Sequence, residues 1–339
     1  MEVPLEDLKR EVMKCLLLYG YEPAERDLMC DVMLYAQMRD NNQGIVKLVG
    51  KGMPKAPDAG EIRTERSSRI SALLDGQRNP GMVVLARAAD MAVNMAADVG
   101  IAIVGTRGTS TSSGALGYYA RRIALHGHLG LLFAGSPPAV CPYGSHEALF
   151  GTNPIAVGIP GGDEPLVIDL ATAAITFYGL VEARNAGRPI PEGVAYGPSG
   201  EATTDASAAM EGATLPFDNG PKGSALSLLV EILTGPLVGA SFAGIGDVWG
   251  NWGHLVIALD PTLFVDRGTF DDRIRQLRAR IQSAKKLPGV SEVLLPGQRE
   301  TELAAARTNA GAIEIEDGLW LALRDANERG DKQLQPHGP

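Results

Sequence analysis

Two neighbouring apolar runs decide how this chain folds: FGTNPIAVGIP over residues 150–160 and VIDLATAA over residues 167–174. Each run places small or polar residues inside an otherwise apolar stretch, which is typical of buried strands whose backbone comes close to a ligand. Asp169 ends the second predicted strand, where its carboxylate could accept from a ribose hydroxyl or cap the turn that follows. The two runs therefore predict adjacent strands beside a binding site.

The first half of the chain combines helical and extended patterns. It opens with two helices, predicted over residues 4–19 and 23–38. Helices and strands then alternate, with helices over 82–99 and 117–126 and strands over 101–104 and 129–134. This order favours a mixed sheet flanked by helices, in an α/β (mixed α+β) fold.

The second half is less regular. Residues 189–220 are rich in Gly, Pro, Ser, Thr and Asp, which predicts a long surface connection. A helix is predicted over 222–240, with one face formed by Leu226, Leu229, Val230 and Leu233. Another helix is predicted to begin at Thr269 with a capping box completed by Asp272, and its buried stripe is Phe270, Ile274, Leu277 and Ile281.

Composition excludes several classes of protein. The 339 residues carry a net charge of −9 and their basic residues are scattered, so we expect no nucleic-acid partner. No run of about 18 apolar residues is present, so we expect no membrane span. Cys15, Cys30 and Cys141 fit no disulfide or metal pattern, which predicts reduced thiols and no metal. Because the N-terminus is acidic where a signal peptide is basic, we expect a cytoplasmic protein.

Two Gly-containing segments and one histidine are candidate functional groups. Residues 105–114 lie between a predicted strand and a helix but lack G-x-G-x-x-G, which excludes a Rossmann phosphate loop. Their hydroxyls could still cap the helix or bind an anion. The segment Asn219-Gly220-Pro221-Lys222-Gly223 could hold a pyrophosphate or form a plain turn. His146 could donate a proton or be structural.

Taken together, these segments resemble the malate/L-lactate dehydrogenase family, the NAD(P)-dependent 2-oxo-acid reductases without a Rossmann fold. The resemblance extends from about Leu8 to Leu323 and includes GALGYY (114–119), both apolar runs, GPKG (220–223) and LPG (295–297). It implies a non-Rossmann nucleotide-binding sheet over residues 76–294 and a helical domain from both chain ends, residues 1–75 and about 295–330. Residues 331–339 are expected to be a mobile tail. Members of the family are typically homodimers with the site near the subunit interface.

The resemblance also implies the cofactor, NADPH or NADH. The segments that hold it in relatives match Thr152, Asn153, Pro154, Asp169, Leu170, Ala171, Thr172, Pro221, Lys222, Gly223, Gly297, Gln298 and Arg299. A 2′-phosphate could be bound by Arg184, Arg188 or Arg299, so the choice between the two coenzymes stays open.

The catalytic positions depart from the family pattern. Relatives have a Ser-His-Gly motif whose histidine is the acid/base at the substrate carbonyl, followed four residues later by an arginine that holds the carboxylate. The matching residues here are Gln43 and Lys47, and a second family histidine matches Ser112. A positioned general acid contributes roughly 10²–10⁴-fold, and glutamine cannot supply that proton. Lys47 remains a cation for a carboxylate, but as a point charge without the bidentate fork of arginine.

Three hypotheses follow from these departures. In the first, the chain reduces a C=N bond in a small carboxylate-bearing substrate, a cyclic 2-imino acid, polarised by Gln43, Ser112 and Lys47. A protonated imine already carries its charge, so hydride addition yields an amine without a separate acid. In the second, the chain is a 2-oxo-acid or 2-hydroxy-acid dehydrogenase in which His146, Lys47 or a tyrosine transfers the proton. In the third it is a catalytically idle nucleotide-binding paralogue, against which the intact nucleotide segments weigh.

Overall fold

A computed structural model describes residues 1–49, 52–162 and 164–329 as a mixed α/β fold, which confirms the predicted fold class. Its strands are β1 (Glu2–Pro4), β2 (Arg63–Ser67), β3 (Ser71–Asp75), β4 (Ile101–Thr109), β5 (Leu129–Ala134), β6 (Ile155–Ile159), β7 (Leu166–Leu170), β8 (Ala195–Tyr196), β9 (Ala213–Thr214), β10 (Trp252–Leu259) and β11 (Ala312–Glu314). Its α-helices are α1 (Leu5–Leu18), α2 (Pro23–Gln37), α3 (Gly81–Val99), α4 (Leu116–Leu125), α5 (Phe177–Asn185), α6 (Ala206–Glu211), α7 (Pro221–Thr234), α8 (Arg267–Gln282), α9 (Gln298–Ala310) and α10 (Asp317–Arg329).

The main sheet has seven strands in the order β2-β3-β4-β10-β5-β6-β7. Only β3 and β4 pair in parallel, and every other neighbouring pair in this sheet is antiparallel. Strand β10 comes from late in the chain and lies between β4 and β5, where Val256 and Ala258 are completely buried. Strands β1 and β11 form a separate pair that brings the two ends of the described chain together.

One hydrophobic core joins the helices of both chain ends to the sheet. It contains Leu8 of α1, Leu85 of α3, Val104 of β4 and Leu323 of α10. Helix α3 packs closely on the sheet because its buried face consists largely of alanines. The division into a helical domain and a sheet domain at residue 75 remains a prediction; strands β2 and β3, on its helical side, belong to the main sheet. The predicted mobile tail, residues 331–339, lies outside the described residues.

The two apolar runs, residues 150–160 and 167–174, contain the neighbouring strands β6 and β7, with Ala156 opposite Asp169. In β6, Ala156 and Gly158 are buried between partly exposed neighbours, as expected for a strand inside the sheet. The expectation of burial is wrong for β7, which is the edge strand and leaves Asp169 and Leu170 exposed. Because β7 is an edge strand, one of its sides has no partner strand, and this apolar run is therefore only partly buried.

Helix α7 differs from its prediction in length and orientation. It ends at Thr234 rather than Ala240, because Gly235 ends the helix. Its buried side chains include Ser227, Val230, Glu231 and Thr234, whereas Leu226 and Leu229 are exposed. Two of the four residues of the predicted apolar face are therefore on the outside, Leu233 is partly buried, and the inward face is largely polar.

Helix α8 and the region before α7 also depart from expectation. Helix α8 begins at Arg267, two residues before Thr269, because the Asp266 carboxylate accepts from the Thr269 N–H at 2.8 Å. None of its residues is fully buried, so the predicted buried stripe is wrong; Leu277 is 53% exposed. Residues 189–220 are not a bare connection, since they form β8, α6 and β9.

The described helices include none long and apolar enough to cross a membrane. All three cysteines are buried and free. Burial raises the pKa of the Cys15 thiol to about 11 and that of Cys30 to about 12, which makes both poor nucleophiles.

Candidate active site

Lys47 is a completely buried lysine, and no described residue forms an ion pair with it. It lies in a 3-10 helix, Ile45–Leu48, that follows α2, and only 1% of it is exposed. Its Nζ lies 3.5 Å from the centroid of the Tyr178 ring, at the start of α5. Within the described chain Nζ has no hydrogen-bond partner, and burial lowers the pKa of Lys47 well below its ordinary value. An ammonium group held this way is suited to a ligand that brings its own negative charge.

Gln43 belongs to a chain of three neutral side chains that ends at α5. The Gln43 Nε2 donates to Asn42 Oδ1 at 2.9 Å, and the Asn42 Nδ2 donates to Thr176 Oγ1 at 2.7 Å. Thr176 Oγ1 also accepts from the Gly179 N–H at 3.1 Å and so caps α5. Helix α5 therefore holds both Gln43, through this chain, and Lys47, through Tyr178.

Helix α9 fixes the segment that carries Gln43. The Arg307 guanidinium donates to the carbonyl oxygens of Gln37 and Met38 at 3.1 and 3.0 Å and pairs with Asp40 at 2.6 Å. These contacts satisfy carbonyl groups at the C-terminal end of α2, which otherwise lack partners. Arg307, from the far end of the chain, thus fixes the backbone just before Gln43.

Ser112 and His146 are not joined to this cluster by hydrogen bonds. Ser112 Oγ accepts from the Gly114 N–H at 3.1 Å, a local contact in the loop before α4. His146 is exposed in the connection between β5 and β6, and its ring lies against Gly200. Neither side chain hydrogen-bonds to Gln43 or Lys47 in the described part of the chain. Lys47 is therefore the titratable side chain left to take the role of the histidine that relatives have at the position of Gln43.

Asn153 and Thr172 are turned into the protein. The Asn153 Nδ2 donates to Glu231 Oε2 at 2.6 Å and to the Ser227 carbonyl at 3.0 Å. The Ser227 hydroxyl donates to Thr172 Oγ1 at 2.9 Å. Both predicted cofactor residues are 0% exposed. Their side chains attach α7 to the ends of β6 and β7, and the Thr172 backbone is also engaged, with its N–H on the Thr152 carbonyl and its carbonyl accepting from the Phe217 N–H.

Asp169 lies near the end of the edge strand β7, where its carboxylate contacts the start of α4. Its Oδ2 accepts from the Gly117 N–H at 2.8 Å, and Gly117 has no room for a side chain between this carboxylate and the Tyr35 hydroxyl. Asp169 keeps contact with solvent, but the surrounding protein removes enough water to raise its pKa from 3.8 to about 6. The neighbouring Leu170 is 42% exposed, and as the next residue of the strand its side chain points to the opposite face of the sheet.

The start of α7 already contains a carboxylate. Asp218 Oδ1 accepts from the N–H groups of Gly220 and Gly223, both at 3.0 Å. These are amides that the sequence assigned to a pyrophosphate, and Asp218 was missed although Asp-Asn-Gly is a common turn pattern. Lys222 remains exposed beside them.

The Gly297-Gln298-Arg299 segment borders the same edge strand. Gly297 has a φ of 72° and lies so close to the Val167 carbonyl that a side chain would collide with it. The Gln298 side chain accepts from the Leu295 N–H at 3.1 Å, and the Arg299 side chain is 71% exposed. This segment therefore packs against β7, the strand that also carries Asp169.

Taken one by one, these residues offer groups of the kinds that bind a dinucleotide. Asp169 offers an acceptor for ribose hydroxyls, Leu170 an apolar surface for a ring, and Lys222 and Arg299 exposed cations for phosphates. No group of three or more His, Cys, Asp or Glu side chains among the described residues could hold a metal ion. No sequence pattern pointed to Tyr178 beside Lys47 or to Glu231 beside Asn153.

Replacing Asp169 tests the environment of its carboxylate. Between its ordinary pKa of 3.8 and its pKa of about 6 the folded chain binds more protons than the unfolded chain, so this group destabilises the fold as the pH rises through that window. We expect Asp169→Asn to match the wild type in unfolding free energy below about pH 4 and to be more stable by about 1 kcal/mol above about pH 6, after allowance for solvent screening. Urea unfolding across this range measures the difference, and a gap independent of pH would contradict it.

Comparison with known proteins places this geometry in one family. A family model described as malate/L-lactate dehydrogenase matches residues 3–324. The chain is 34% identical to an L-sulfolactate dehydrogenase of Methanothermobacter thermautotrophicus over 93% of both chains. It is 28% identical to the ureidoglycolate dehydrogenase (NAD(+)) of Escherichia coli K12, over 95% of both.

A solved structure, the delta1-piperideine-2-carboxylate reductase of Pseudomonas syringae pvar. tomato, has a TM-score of 0.79 with 28% identity, over 96% of this chain and 99% of that one. Sequence and structural similarity thus agree over nearly the whole chain. The predicted resemblance, the enzyme class and the cofactor type are confirmed. The chain belongs to the malate/L-lactate dehydrogenase family and is an oxidoreductase that uses NADH or NADPH.

Proposed function

We propose that the enzyme reduces a C=N bond next to a carboxylate, in a cyclic 2-imino acid. The observation that carries the proposal is the pairing of a buried, unpartnered Lys47 with neutral groups where the family has its acid. Lys47 would bind the substrate carboxylate, which supplies the negative charge that its surroundings lack. Gln43 would lie at the substrate nitrogen. The nicotinamide supplies the hydride.

A protonated imine suits this site because the charge change needs no acid. Hydride adds to the carbon, the electrons of the C=N bond pass to nitrogen, and the positive charge of the iminium is neutralised. A ketone would instead give an alkoxide that must take up a proton. Gln43, Asn42 and Thr176 cannot provide one, and the pKa of Tyr178 is raised by burial to about 12.

The second candidate is reduction of a 2-oxo acid with Lys47 as proton donor. One observation favours it: burial lowers the pKa of Lys47, which brings its ammonium group closer to the range useful for acid catalysis. In this case Lys47 would have to act at the substrate oxygen, leaving the carboxylate without its cation. The C=N proposal needs only one role for Lys47, and for that reason we prefer it.

We further propose that the cofactor lies along the open side of β7. Asp169 would bind ribose hydroxyls, and Lys222 and Arg299 would meet the phosphates. The backbone of Thr152, Asn153 and Pro154 would border the site, together with Leu170, Ala171, Thr172, Pro221, Gly223, Gly297 and Gln298. With three buried, free cysteines, a reducing cytoplasmic location fits the chain.

A homodimer is the arrangement that we propose for α7. Its outer face exposes a row of large apolar side chains, Leu226, Leu228, Leu229 and Ile232, each 36–47% exposed. Monomers seldom leave such a contiguous patch in water, and a second copy of the same helix is an apolar partner of matching shape. The inward face of α7 is tied to β6 and β7, so a dimer here would also steady the cofactor side of the site.

A substrate comparison tests the proposed reaction. We expect oxidation of NADH or NADPH, followed by absorbance, to be at least about tenfold more efficient in kcat/KM with Δ1-piperideine-2-carboxylate or Δ1-pyrroline-2-carboxylate than with pyruvate or oxaloacetate. The reason is that only the imino acids avoid the missing proton donor. Faster turnover of the simple 2-oxo acids would favour the second candidate instead.

Substitution of Lys47 separates its functional role from a structural one. We expect Lys47→Met to raise the KM for the imino acid about tenfold or more, because a charge-assisted hydrogen bond is lost. The same variant should gain stability in urea unfolding, since it removes an uncompensated buried amine. Lys55, which is paired with Glu25 at 2.8 Å, is the matched control. Lys55→Met should leave KM unchanged and should not raise the free energy of unfolding. A lower free energy of unfolding in Lys47→Met would contradict the inference that Lys47 is an uncompensated buried amine.

Introducing a charge on α7 tests the dimer. We expect the wild type to sediment as a dimer at micromolar concentration and Leu229→Glu to weaken the dimer at least about tenfold, because a carboxylate is costly in an apolar interface. Leu277→Glu on α8, an equally exposed leucine, should remain dimeric. A monomeric wild type, or dissociation by Leu277→Glu alone, would refute this interface.

A further inference from the structure

The orientation of the Gln43 amide carries information about the atom it faces. A glutamine side chain has one end that donates hydrogen bonds and one that accepts them. The donating Nε2 is used on Asn42 at 2.9 Å. No described residue donates to the accepting Oε1, and Gln43 is only partly buried. The open end of Gln43 is therefore an acceptor.

The orientation follows from what stands behind it. The Thr176 oxygen receives two donors, the Gly179 N–H at 3.1 Å and the Asn42 Nδ2 at 2.7 Å, which occupy both of its lone pairs. With its amide nitrogen directed to Thr176, Asn42 presents its carbonyl oxygen to Gln43. Gln43 must then turn its own nitrogen toward Asn42. The hydrogen bonds thus run in one direction, from the Gln43 nitrogen to Asn42 and from the Asn42 nitrogen to the oxygen that caps α5.

We infer that Gln43 accepts a hydrogen bond from an N–H group of the substrate and so selects nitrogen over oxygen at the reacting position, with Asn42 and Thr176 as positioning residues. This rests on the proposed function and adds to it the device that discriminates. A ketone oxygen has only lone pairs to offer and would face another acceptor. An iminium or a secondary ammonium group has the hydrogen that Gln43 requires. A buried mismatch of two acceptors is costly, which makes this kind of selection strong.

The test is a binding measurement with matched ligand pairs. L-pipecolate is compared with tetrahydropyran-2-carboxylate, and L-proline with tetrahydrofuran-2-carboxylate, each pair differing only in a ring NH₂⁺ or a ring oxygen. Calorimetry on enzyme saturated with NADH or NADPH gives the ratio of the two Kd values. We expect the wild type to prefer the amino acid by about tenfold or more, as for a hydrogen bond to a charged group.

Three variants examine the hydrogen-bond chain. Gln43→Met should raise the Kd of the amino acid about tenfold and should not raise that of the ether, because only the amino acid uses the acceptor and the ether is freed of an acceptor–acceptor mismatch. Asn42→Asp should keep the preference, since a carboxylate can only accept and still draws the Gln43 nitrogen. Thr176→Val should reduce the preference, because Asn42 loses the acceptor that orients it. The ratio of Kd values within one variant is insensitive to a general loss of stability.

The outcomes separate this inference from the proposed function. If the wild type reduces cyclic imino acids but binds the ether as tightly as the amino acid, the orientation of Gln43 is overturned while the reaction stands. The orientation is also overturned if Gln43→Met weakens both ligands equally, or if Asn42→Asp abolishes the preference. Failure of the wild type to reduce any cyclic imino acid would overturn the reaction itself.

Discussion

The buried carboxylate of Glu231 is the constraint on which the rest of the site depends. It is 7% exposed and forms no ion pair with any residue that the structure describes, so its charge must be balanced by hydrogen bonds. Oε2 accepts from Asn153 at 2.6 Å, and Oε1 from the Ala243 N–H at 2.6 Å. Because a carboxylate in the interior is tolerated only with such donors, these contacts hold α7 against the end of β6. A looser arrangement would leave the carboxylate unsolvated and unpaired.

Further contacts connect this junction to α5 and Lys47. Ser227, four residues before Glu231, donates to Thr172 at 2.9 Å, and the Thr172 N–H donates to the Thr152 carbonyl at 3.1 Å. The chain leaving Thr172 reaches Thr176, the cap of α5, after a short turn. Helix α5 then places its second residue, Tyr178, over Lys47. Since each contact is made to a neighbouring element, a change at α7 is expected to be felt at Gln43 and Lys47.

The sequence allowed much of the fold to be predicted because its periodic patterns are local. Helices α1 and α2 were found within two residues, and β6 lies inside the predicted run 150–160, since apolar spacing and the flanking Gly and Pro define them. Orientation was harder. The apolar residues of α7 outnumber its polar ones, so the pattern indicated burial of Leu226 and Leu229, but the helix buries Ser227 and Glu231. Periodicity shows that a helix has an apolar face. It does not distinguish a face that packs on the core from one that would pack on a second copy of the chain in the proposed dimer.

The site was predictable where it consists of sequence motifs and not where it depends on distant pairs. Gln43, Lys47 and Asp169 could be named in advance because they stand at positions with a recognisable pattern. Asn42 and Thr176 are 134 positions apart, so no local pattern could have paired them. The same is true of Tyr178 and Lys47. In the proposed reaction such pairs carry the chemistry: replacing a histidine by glutamine would by itself only remove an acid, but a glutamine whose amide is hydrogen-bonded to Asn42 has a fixed direction. A neutral side chain with a fixed direction distinguishes a donor from an acceptor, which is what separates nitrogen from oxygen in a substrate.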